Sequence, residues 1–344
     1  MPTDAEASFL RLVLCLLCCA LLAGCTGDRI ERQESFVFGT RVEVLVFGLD
    51  RAQARDAAGE VLREFDRLHR LLHAWQPSEL TRINAAIEAG LPVDIDPEIA
   101  ALLKGAADAA KRGENLFNPA AGALIAAWGF HADEFRPQRP DDATVAALLA
   151  ARPVMSDLDM VVLPGDGHRV SSRNRIVRLD LGGYAKGYAL DRAAALLRAR
   201  GVRNALINIG GNVMALGSKG DTPWRIGIQH PRKAESLASV ELRDGEAIGT
   251  SGDYQRYFEL DGERLCHLID PRTGQPVRHT QSLTVLMPAQ PDAGARSDAD
   301  SKPLFIAGRD DWMALSGRMG VSHVLRIDAD GSMDATTAMR ARLR

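Results

Sequence analysis

The chain has 344 residues, of which 46% are hydrophobic and 25% charged, a balance typical of a folded globular protein that excludes disorder as the main state. Its 42 basic and 45 acidic residues give a formal net charge of −3, so no basic excess exists to drive binding to a nucleic-acid backbone. The length accommodates one large α/β domain or two ordinary ones.

The N-terminal region has the pattern of a cleaved lipoprotein signal. An apolar run covers residues 12–23, which is too short for a relaxed transmembrane helix of ~20 residues and suits a signal-peptide core. The run ends at Gly24 and Cys25, and the Leu-Ala-Gly-Cys sequence resembles the lipobox of bacterial lipoproteins, in which the cysteine thiol carries the lipid. We therefore expect a signal peptide over residues 1–24, lipidation at Cys25 and a polar tether over residues 25–35.

This signal predicts where the protein resides. A lipidated chain would be anchored to a bacterial membrane and face the periplasm, with the inner and the outer membrane both open. The segment before the apolar run contains Asp4 and Glu6 but only one basic residue, Arg11, an unusual charge for a signal peptide. An uncleaved anchor and a misassigned start codon are therefore the alternatives.

Hydrophobic periodicity predicts the elements that follow in chain order. Alternating β-branched and aromatic residues predict a strand over 36–47. Apolar residues at helical spacing predict helices over 52–72, 97–111, 120–127 and 141–150. Beyond Pro153, short apolar runs between glycine-rich turns predict a helix over 184–198 and strands over 160–163, 176–181, 205–209, 225–228, 239–242 and 283–287. Since no linker divides the chain, we expect an α+β fold: a single large unit, in one or two lobes, with a mixed sheet and flanking helices.

A strand end, a glycine pair and a helix start meet at residues 179–191. Asp180 precedes Gly182 and Gly183, and Lys186 follows near the helix start. Backbone N–H groups at a helix start together with a lysine form a site for an anion. The spacing fits neither a P-loop nor a dinucleotide fingerprint. The alternative is a tight turn with a solvated lysine.

Two later turns also have the composition of a ligand site. Gly210 and Gly211 follow a strand and permit close approach of a ligand, although a simple bulge is equally consistent. His267, Asp270 and Arg272 surround one turn, where histidine and arginine donate to phosphate oxygens and aspartate orients the histidine. The alternative is an Asp270–Arg272 ion pair that only holds the loop.

Two carboxylates near the C-terminus suggest a metal ion. Asp298 and Asp300 lie two residues apart, and carboxylate oxygens are ligands that Mg²⁺ prefers. Residues at this spacing do not share a helix face. At most one of the two is therefore expected to bind the ion directly.

Taken in this order, the segments resemble those of the FAD:protein FMN transferases, the ApbE family. The resemblance begins at residues 38–40, continues through 75–84 and 116–119, and reaches the loop 267–274. It implies an ApbE- or T-fold-like architecture and a protein that binds FAD and Mg²⁺. It also implies transfer of FMN from FAD, through a phosphoester bond, to a Thr or Ser flavinylation motif of an acceptor flavoprotein, with release of AMP.

The resemblance also assigns roles by position. The residues that would contact FAD are Phe38, Trp75, Leu116, Phe117, Asn118, Asp180 and Lys186. The loop that would close over the diphosphate contains His267, Ile269 and Asp270. His267 and Asp270 are the candidate catalytic residues, with Asp270 assisting deprotonation of the incoming hydroxyl. The metal would be bound by the Gly183 carbonyl and the Asp298 carboxylate.

The chain departs from the family pattern at this metal site. Family members usually have a threonine that binds the metal where this chain has Lys302, four residues after Asp298. At this spacing the ammonium reaches the carboxylate, and a cation there disfavours Mg²⁺ electrostatically. Three interpretations are open. Lys302 points away and Ser301 or Asp300 completes the site, or Lys302 replaces part of the metal's charge near the phosphates, or the protein is an FAD-binding lipoprotein that has lost transferase activity.

Overall fold

A computed structural model describes residues 30–344, and its largest element is a sheet of eight strands. Every neighbouring pair of strands in this sheet is antiparallel. The prediction of a mixed sheet is therefore wrong for this sheet. Short hairpins join several consecutive strands, and such connections allow only antiparallel pairing. In spatial order the strands are β1 Ile30–Val37, β2 Thr40–Phe47, β6 Asn204–Ile209, β7 Asn212–Leu216, β10 Ala247–Gly252, β15 Thr280–Met287, β16 His323–Asp328 and β17 Met333–Ala335.

The other strands form smaller sheets around this one. A three-stranded sheet has the order β3-β5-β4, and three hairpins pair β8 with β9, β11 with β12 and β13 with β14. Their bounds are β3 Val93–Ile95, β4 Leu158–Val162, β5 His168–Ser172, β8 Trp224–Gln229, β9 Ser236–Leu242, β11 Tyr257–Leu260, β12 Glu263–Cys266, β13 Ile269–Asp270 and β14 Gln275–Pro276.

Ten α-helices and one 3₁₀ turn, Met155–Asp157, accompany the sheets within residues 30–344. None of these helices is both long enough and apolar enough to cross a membrane. The helices are α1 Arg51–Leu71, α2 Glu79–Ala89, α3 Pro97–Arg112, α4 Gly122–Ala127, α5 Asp142–Ala151, α6 Ala185–Ala199, α7 Ala293–Ala299, α8 Ser301–Ala307, α9 Trp312–Met319 and α10 Thr337–Arg340.

Local sequence explains where the longest helix begins and which face it buries. The Asp50 carboxylate accepts the backbone N–H groups of Ala52 and Gln53, both at 3.0 Å, and so satisfies two otherwise free donors at the start of α1. The buried face recurs at helical spacing and consists of Ala54, Ala57, Ala58, Val61, Phe65 and Leu68. This face packs with β1, β2 and α6 in the largest hydrophobic core.

A second core lies beside the first. It is formed by α2, α3, the three-stranded sheet and the start of α6. Leu116 packs in the first core and its neighbour Phe117 in the second, so the segment before α4 joins the two. These two cores are the largest of four hydrophobic clusters within residues 30–344, and they meet at residues 116–117.

The N-terminal strand differs from the sequence prediction. The sequence predicts a tether over residues 25–35 and then one strand over 36–47. Instead β1 begins at Ile30, which pairs with Phe47, and a tight turn at residues 38–39 divides the predicted strand into two. Residues 30–35 therefore belong to the sheet, because their backbone groups pair with β2. The predicted signal peptide and Cys25 lie outside the described residues.

The sequence predicts a strand over residues 176–181, but the structure forms no strand there. The side chain of Asn84 bonds to the backbone of this segment instead. The segment's backbone contacts run along residues 119–122: the Arg178 N–H donates to the Ala120 carbonyl at 3.1 Å, and the Asp180 N–H donates to the Pro119 carbonyl at 2.8 Å. Leu179 bonds to the side chain of Asn84 in α2, a helix that is not predicted from the sequence. Nδ2 of Asn84 donates to the Leu179 carbonyl at 2.9 Å, and Oδ1 of Asn84 accepts the Leu179 N–H at 2.6 Å. The amide side chain thus satisfies backbone groups that a neighbouring strand would otherwise pair.

Candidate active site

A cavity of about 790 Å³ opens between the two cores. This volume is typical of sites for small molecules and cofactors. Its walls come from the β1–β2 turn, the end of α1, the start of α6, β10, the loop around His267, and α8. The motifs identified in the sequence therefore meet at one place, although they are spread over most of the chain.

Most of the predicted site residues line this cavity. They are Phe38, Trp75, Leu116, Phe117, Asn118, Asp180, Gly183, Lys186, His267, Ile269 and Lys302. Asp270 and Asp298 lie behind the lining. The Asn118 side chain also holds its own loop, since Nδ2 donates to the Pro153 carbonyl at 2.8 Å.

Aromatic rings form one wall of the cavity. The ring centroid of His69 lies 5.5 Å from that of Phe38 and 5.1 Å from that of His73. The Trp75 centroid lies 4.5 Å from His73, and the indole stacks on His131 at 5.3 Å with an interplanar angle of 24°. Nε1 of Trp75 is buried and has no hydrogen-bond partner among residues 30–344. An apolar wall with an unmet donor suits a planar ring that carries hydrogen-bond acceptors.

A buried hydrogen bond supports this wall. The Asp180 carboxylate accepts a hydrogen bond from Nε2 of His131 at 2.8 Å and another from the Gly182 N–H at 2.7 Å. Burial alone raises the pKa of Asp180, but the hydrogen bond and charge of His131 outweigh it and lower the pKa to about 2. Asp180 is therefore ionised under all physiological conditions.

Cations also face the cavity, Lys186 from the start of α6 and Arg256 beside the aromatic wall, where its guanidinium carbon lies 5.9 Å from the Trp75 ring centroid. The ammonium of Lys186, in the first turn of α6, has no hydrogen-bond or ion-pair partner in the part of the chain that the structure describes. Burial lowers the pKa of Lys186; the Asp298 carboxylate opposes this, and the charges of Lys302 and Arg256 add to it. Arg256 donates to the Phe130 carbonyl at 3.0 Å. These cations partly oppose one another, so a bound anion would stabilise the group.

His267 stands among these cations as a neutral ring. Its Nδ1 lies 3.1 Å from the Arg256 carbonyl oxygen, and because a carbonyl only accepts, Nδ1 carries the proton and Nε2 keeps its lone pair. Burial, together with the charges of Arg256 and Lys186, holds the pKa of His267 well below its ordinary value. Nε2 is therefore the proton acceptor that this part of the cavity offers.

The Asp270 carboxylate binds Arg272 and does not line the cavity. It accepts the Arg272 backbone N–H at 2.8 Å, and the Arg272 guanidinium binds both carboxylate oxygens, with Nη2 at 2.8 Å from Oδ2. The sequence offers Asp270 as a candidate catalytic residue, but the structure places it in the ion pair that holds the 267–274 loop. A carboxylate occupied in this way is not positioned to take a proton from a cavity ligand.

The three predicted metal residues are neighbours in space. The Lys302 ammonium forms an ion pair with Oδ1 of Asp298 and donates to the Asp298 carbonyl oxygen at 2.7 Å. Oδ2 of Asp298 accepts the Gly187 N–H at 3.0 Å. A Cβ atom at Gly183 would lie 3.1 Å from Cε of Lys302, so the lysine side chain crosses directly over this glycine.

This arrangement does not fit a divalent cation. The carboxylate that would bind the metal is already neutralised by Lys302, and Asp298 is only 1% exposed. Lys302 faces the site, which excludes the interpretation in which it points away. Asp300 does not complete the site either, because Arg112 and Arg296 hold its carboxylate at 3.2 and 2.9 Å. Among residues 30–344, no group of three or more His, Cys, Asp or Glu side chains is placed to hold a metal ion.

Four residues of the site are not predicted from the sequence: His69, His73, His131 and Arg256. His131 pairs with Asp180 across 49 positions of the chain, and Arg256 follows β10 in a segment of no distinctive pattern. The available signal for His131 is its position directly after the Trp128-Gly129-Phe130 segment of the family resemblance. No local signal marks Arg256, whose role depends on the cavity it enters.

Comparison with known proteins agrees with this geometry. Residues 38–325 match the sequence profile of the ApbE family. The chain belongs to the ApbE family. This finding confirms the resemblance seen in the sequence, and it explains why motifs so widely separated in this ApbE chain converge on one cavity.

Relatives of this ApbE chain extend the match beyond the profile. A protein of Rhodobacter capsulatus named FAD:protein FMN transferase is 46% identical over 345 residues, which cover 99% of this chain and 64% of that protein. This chain thus spans less than two thirds of that relative's length. A protein of Treponema pallidum with the same name is 33% identical, with 96% of this chain and 94% of that protein covered.

A solved structure confirms the fold. The crystal structure of the ApbE protein from Thermotoga maritima matches this ApbE chain with a TM-score of 0.82 and 28% sequence identity, covering 92% of this chain and all of that chain. The predicted α+β class, with a sheet and flanking helices in one unit, is therefore correct.

Proposed function

We propose that the protein is an FAD:protein FMN transferase. It takes FAD as substrate, joins FMN through a phosphoester bond to a Thr or Ser hydroxyl of an acceptor flavoprotein, and releases AMP. The observation that carries the proposal is that the cavity combines an aromatic wall, around Trp75, with cationic groups, around Lys186. A dinucleotide with a diphosphate between two ring systems has the matching chemistry.

The chemical step needs positioning and a proton acceptor. The acceptor hydroxyl oxygen forms a bond to the phosphorus of the FMN half, and the bond from that phosphorus to the bridging oxygen breaks, so that AMP leaves with that oxygen. The hydroxyl proton passes to Nε2 of His267, whose lone pair is free. Lys186 and Arg256 neutralise charge that develops on the phosphate oxygens. Mg²⁺, which the resemblance implies, has no role in this scheme, because the residues around Asp298 do not fit it.

The acceptor and the location belong to the same proposal. An acceptor flavoprotein that presents a Thr or Ser flavinylation motif must bring its hydroxyl to the cavity opening, where Phe36 is 73% exposed beside the β1–β2 turn. The lipobox-like sequence at Cys25 supports a lipid anchor that places the domain on the periplasmic side of a bacterial membrane. Radiolabelled lipid incorporation into wild type but not Cys25→Ala tests the anchor.

One observation favours a second function. The Lys302 ammonium neutralises the predicted metal carboxylate, and a protein that needed the metal for transfer would retain only FAD binding. The alternative is therefore an FAD-binding lipoprotein without transferase activity. Both functions use the aromatic wall and Lys186 to bind FAD. They differ only in whether FMN is transferred to an acceptor.

Transfer to an acceptor distinguishes the two. Full-length protein in detergent is incubated with FAD and an acceptor domain carrying the Thr/Ser motif, with and without Mg²⁺. We expect the acceptor to gain the mass of FMN minus water, and one AMP to appear for each modified acceptor. Lys186→Met is expected to lose labelling, whereas the matched control Lys233→Met, at an exposed site (65% of its side chain), retains it. FAD binding with no labelled acceptor in either buffer would support the alternative.

A further inference from the structure

We propose that the Lys302 ammonium binds the FAD diphosphate directly and takes the place of a divalent cation, so that FAD binding and FMN transfer proceed without Mg²⁺. This inference rests on the proposed function and adds how its substrate is held. It concerns the position at which this chain departs from its family's pattern. The argument depends on where the Lys302 side chain lies and on what surrounds it.

Both oxygens of the Asp298 carboxylate already have partners. α7 and α8 meet at Asp300, so Asp298 and Lys302 lie one turn apart across the junction. The Lys302 ammonium forms an ion pair with Oδ1 of Asp298, and the Gly187 N–H donates to Oδ2 at 3.0 Å. Position 187 admits no side chain, because a Cβ atom there would lie 2.3 Å from the Gly294 carbonyl oxygen. A divalent cation would therefore have to displace Lys302 from a buried carboxylate.

The ammonium that occupies this position faces the cavity. Lys302 lines the cavity, and its side chain crosses over Gly183, another lining residue. An ammonium has three hydrogens to donate. The Asp298 carboxylate and carbonyl accept two of them, and the described residues supply no third acceptor. A phosphate oxygen in the cavity is suited to accept the third.

The neighbouring polar groups are not available for the same role. The Ser301 hydroxyl donates to the Asp298 carbonyl at 2.6 Å and lies 2.7 Å from the Ser251 hydroxyl. Asp300 is fully buried between Arg112 and Arg296. Lys302 is therefore the residue of this segment that meets the substrate.

A lysine differs from Mg²⁺ in what it supplies. It is a point charge that binds phosphate, it carries one positive charge where the ion carries two, and it is part of the chain, so it cannot be removed by a chelator. Lys186, whose ammonium lines the same cavity without a partner of its own, provides a second charge. Two lysines thus face the two phosphates of FAD.

FAD binding in the absence of metal tests this proposal. The dissociation constant for FAD is measured by flavin fluorescence for full-length wild type, Lys302→Thr and the exposed control Lys233→Thr, in EDTA and in millimolar Mg²⁺. We expect wild type and the control to bind FAD equally in both buffers. In EDTA, Lys302→Thr should bind FAD about 10- to 100-fold more weakly, as expected for the loss of a charge-assisted hydrogen bond, and Mg²⁺ should restore its affinity. Riboflavin, which lacks phosphates, should bind equally to all three proteins.

A second variant guards against a simple loss of folding. Lys302→Thr leaves the Asp298 carboxylate buried without its partner, so the double variant Asp298→Asn/Lys302→Thr, which removes both charges, is measured alongside it. It should also bind FAD more weakly than wild type in EDTA with riboflavin binding unchanged. A thermal unfolding curve for each protein confirms that the compared samples are folded.

Each outcome separates this inference from the proposed function. Wild-type binding or FMN transfer that requires Mg²⁺ would overturn the role of Lys302 while leaving the transferase intact. So would a folded double variant that binds FAD in EDTA as tightly as wild type. A wild-type protein that binds no FAD in either buffer would overturn both the role of Lys302 and the proposed function.

Discussion

Nε2 of His131 lies 2.8 Å from Oδ2 of Asp180, and the same imidazole stacks on Trp75. One residue therefore connects the charged support of the cavity with its aromatic wall. Asp180 is held ionised by this contact, and its other oxygen accepts the Gly182 N–H at the turn before α6. The orientation of the wall and the start of α6, which carries Lys186, are coupled through a single carboxylate.

Replacement of His131 tests this coupling. His131→Gln replaces the imidazole that bonds a buried carboxylate with a flexible amide, so we expect the free energy of unfolding to fall by up to about 3 kcal/mol, the upper value for a hydrogen bond to a charged group. We also expect weaker FAD binding, because Trp75 loses its support. Urea unfolding and FAD titration measure the two effects. The control is His323→Gln, far from the cavity on β16; equal effects in both variants would contradict a specific role for His131.

Trp75 is expected to provide much of the ring recognition. Trp75→Ala removes the stacking face and should weaken FAD binding by about 1–3 kcal/mol, the range for a ring stacked on an aromatic side chain. Trp75→Phe keeps a ring but loses the Nε1 donor, which is buried without a partner among residues 30–344, so it should lose less. Titration with FAD measures both variants. If Trp75→Ala binds FAD as wild type does, the aromatic wall is not the flavin or adenine site.

Gly183 leaves the space that Lys302 occupies. A methyl group there would lie 2.9 Å from the Phe117 ring and 3.1 Å from Cε of Lys302, and relieving such crowding costs about 1–3 kcal/mol. We expect Gly183→Ala to weaken FAD binding measurably, because both neighbours line the cavity. The control is Gly59→Ala on α1, which should gain about 0.5–1 kcal/mol of stability from the helix. Unchanged FAD binding by Gly183→Ala would show that Lys302 does not need this position.

The structure separates the roles of His267 and Asp270, both of which the sequence offers as catalytic. Under the proposed function, His267→Gln should lower kcat for FMN transfer by about 100-fold or more, as expected for loss of a general base. Asp270→Asn weakens the ion pair with Arg272 and should lower Tm, with kcat at saturating FAD close to wild type. Initial rates and thermal unfolding check the pair. A similar fall of kcat in both variants would mean that proton transfer needs the intact 267–274 loop and not His267 alone.

His267 also predicts a pH dependence of stability. Its pKa in the folded protein lies well below 6.5, so below pH 6.5 the unfolded chain binds a proton that the folded chain does not. The stability that neutral His267 contributes is therefore complete above pH 6.5 and falls as pH decreases, by up to about 1.4 kcal/mol per pH unit. Urea unfolding of FAD-free wild type and His267→Gln between pH 7.5 and 5.5 should show the steeper loss in wild type. Parallel curves would mean that the pKa of His267 is the same in the folded and unfolded states.

The sequence predicts those parts of the molecule that depend on local pattern. The apolar spacing over residues 52–72 predicts α1, and the glycine pair before Lys186 predicts the turn into α6. The order of motifs identifies the family, and through it eleven of the residues that line the cavity. These inferences succeed because glycine turns, helical periodicity and motif order are properties of short segments. The strand predicted over 176–181 fails because Asn84, nearly a hundred positions away, takes the place of a neighbouring strand.

By itself, the sequence determined the α+β class, the family and the residues that face a common ligand. Only the tertiary structure decided the state of the charged groups among them. It paired Asp270 with Arg272 and Asp180 with His131, left Lys186 without a partner among the described residues, and turned Lys302 onto Asp298. The physical reason is that the protonation and the availability of a charged side chain depend on its nearest neighbours and its burial. Segments that lie far apart in the chain set both.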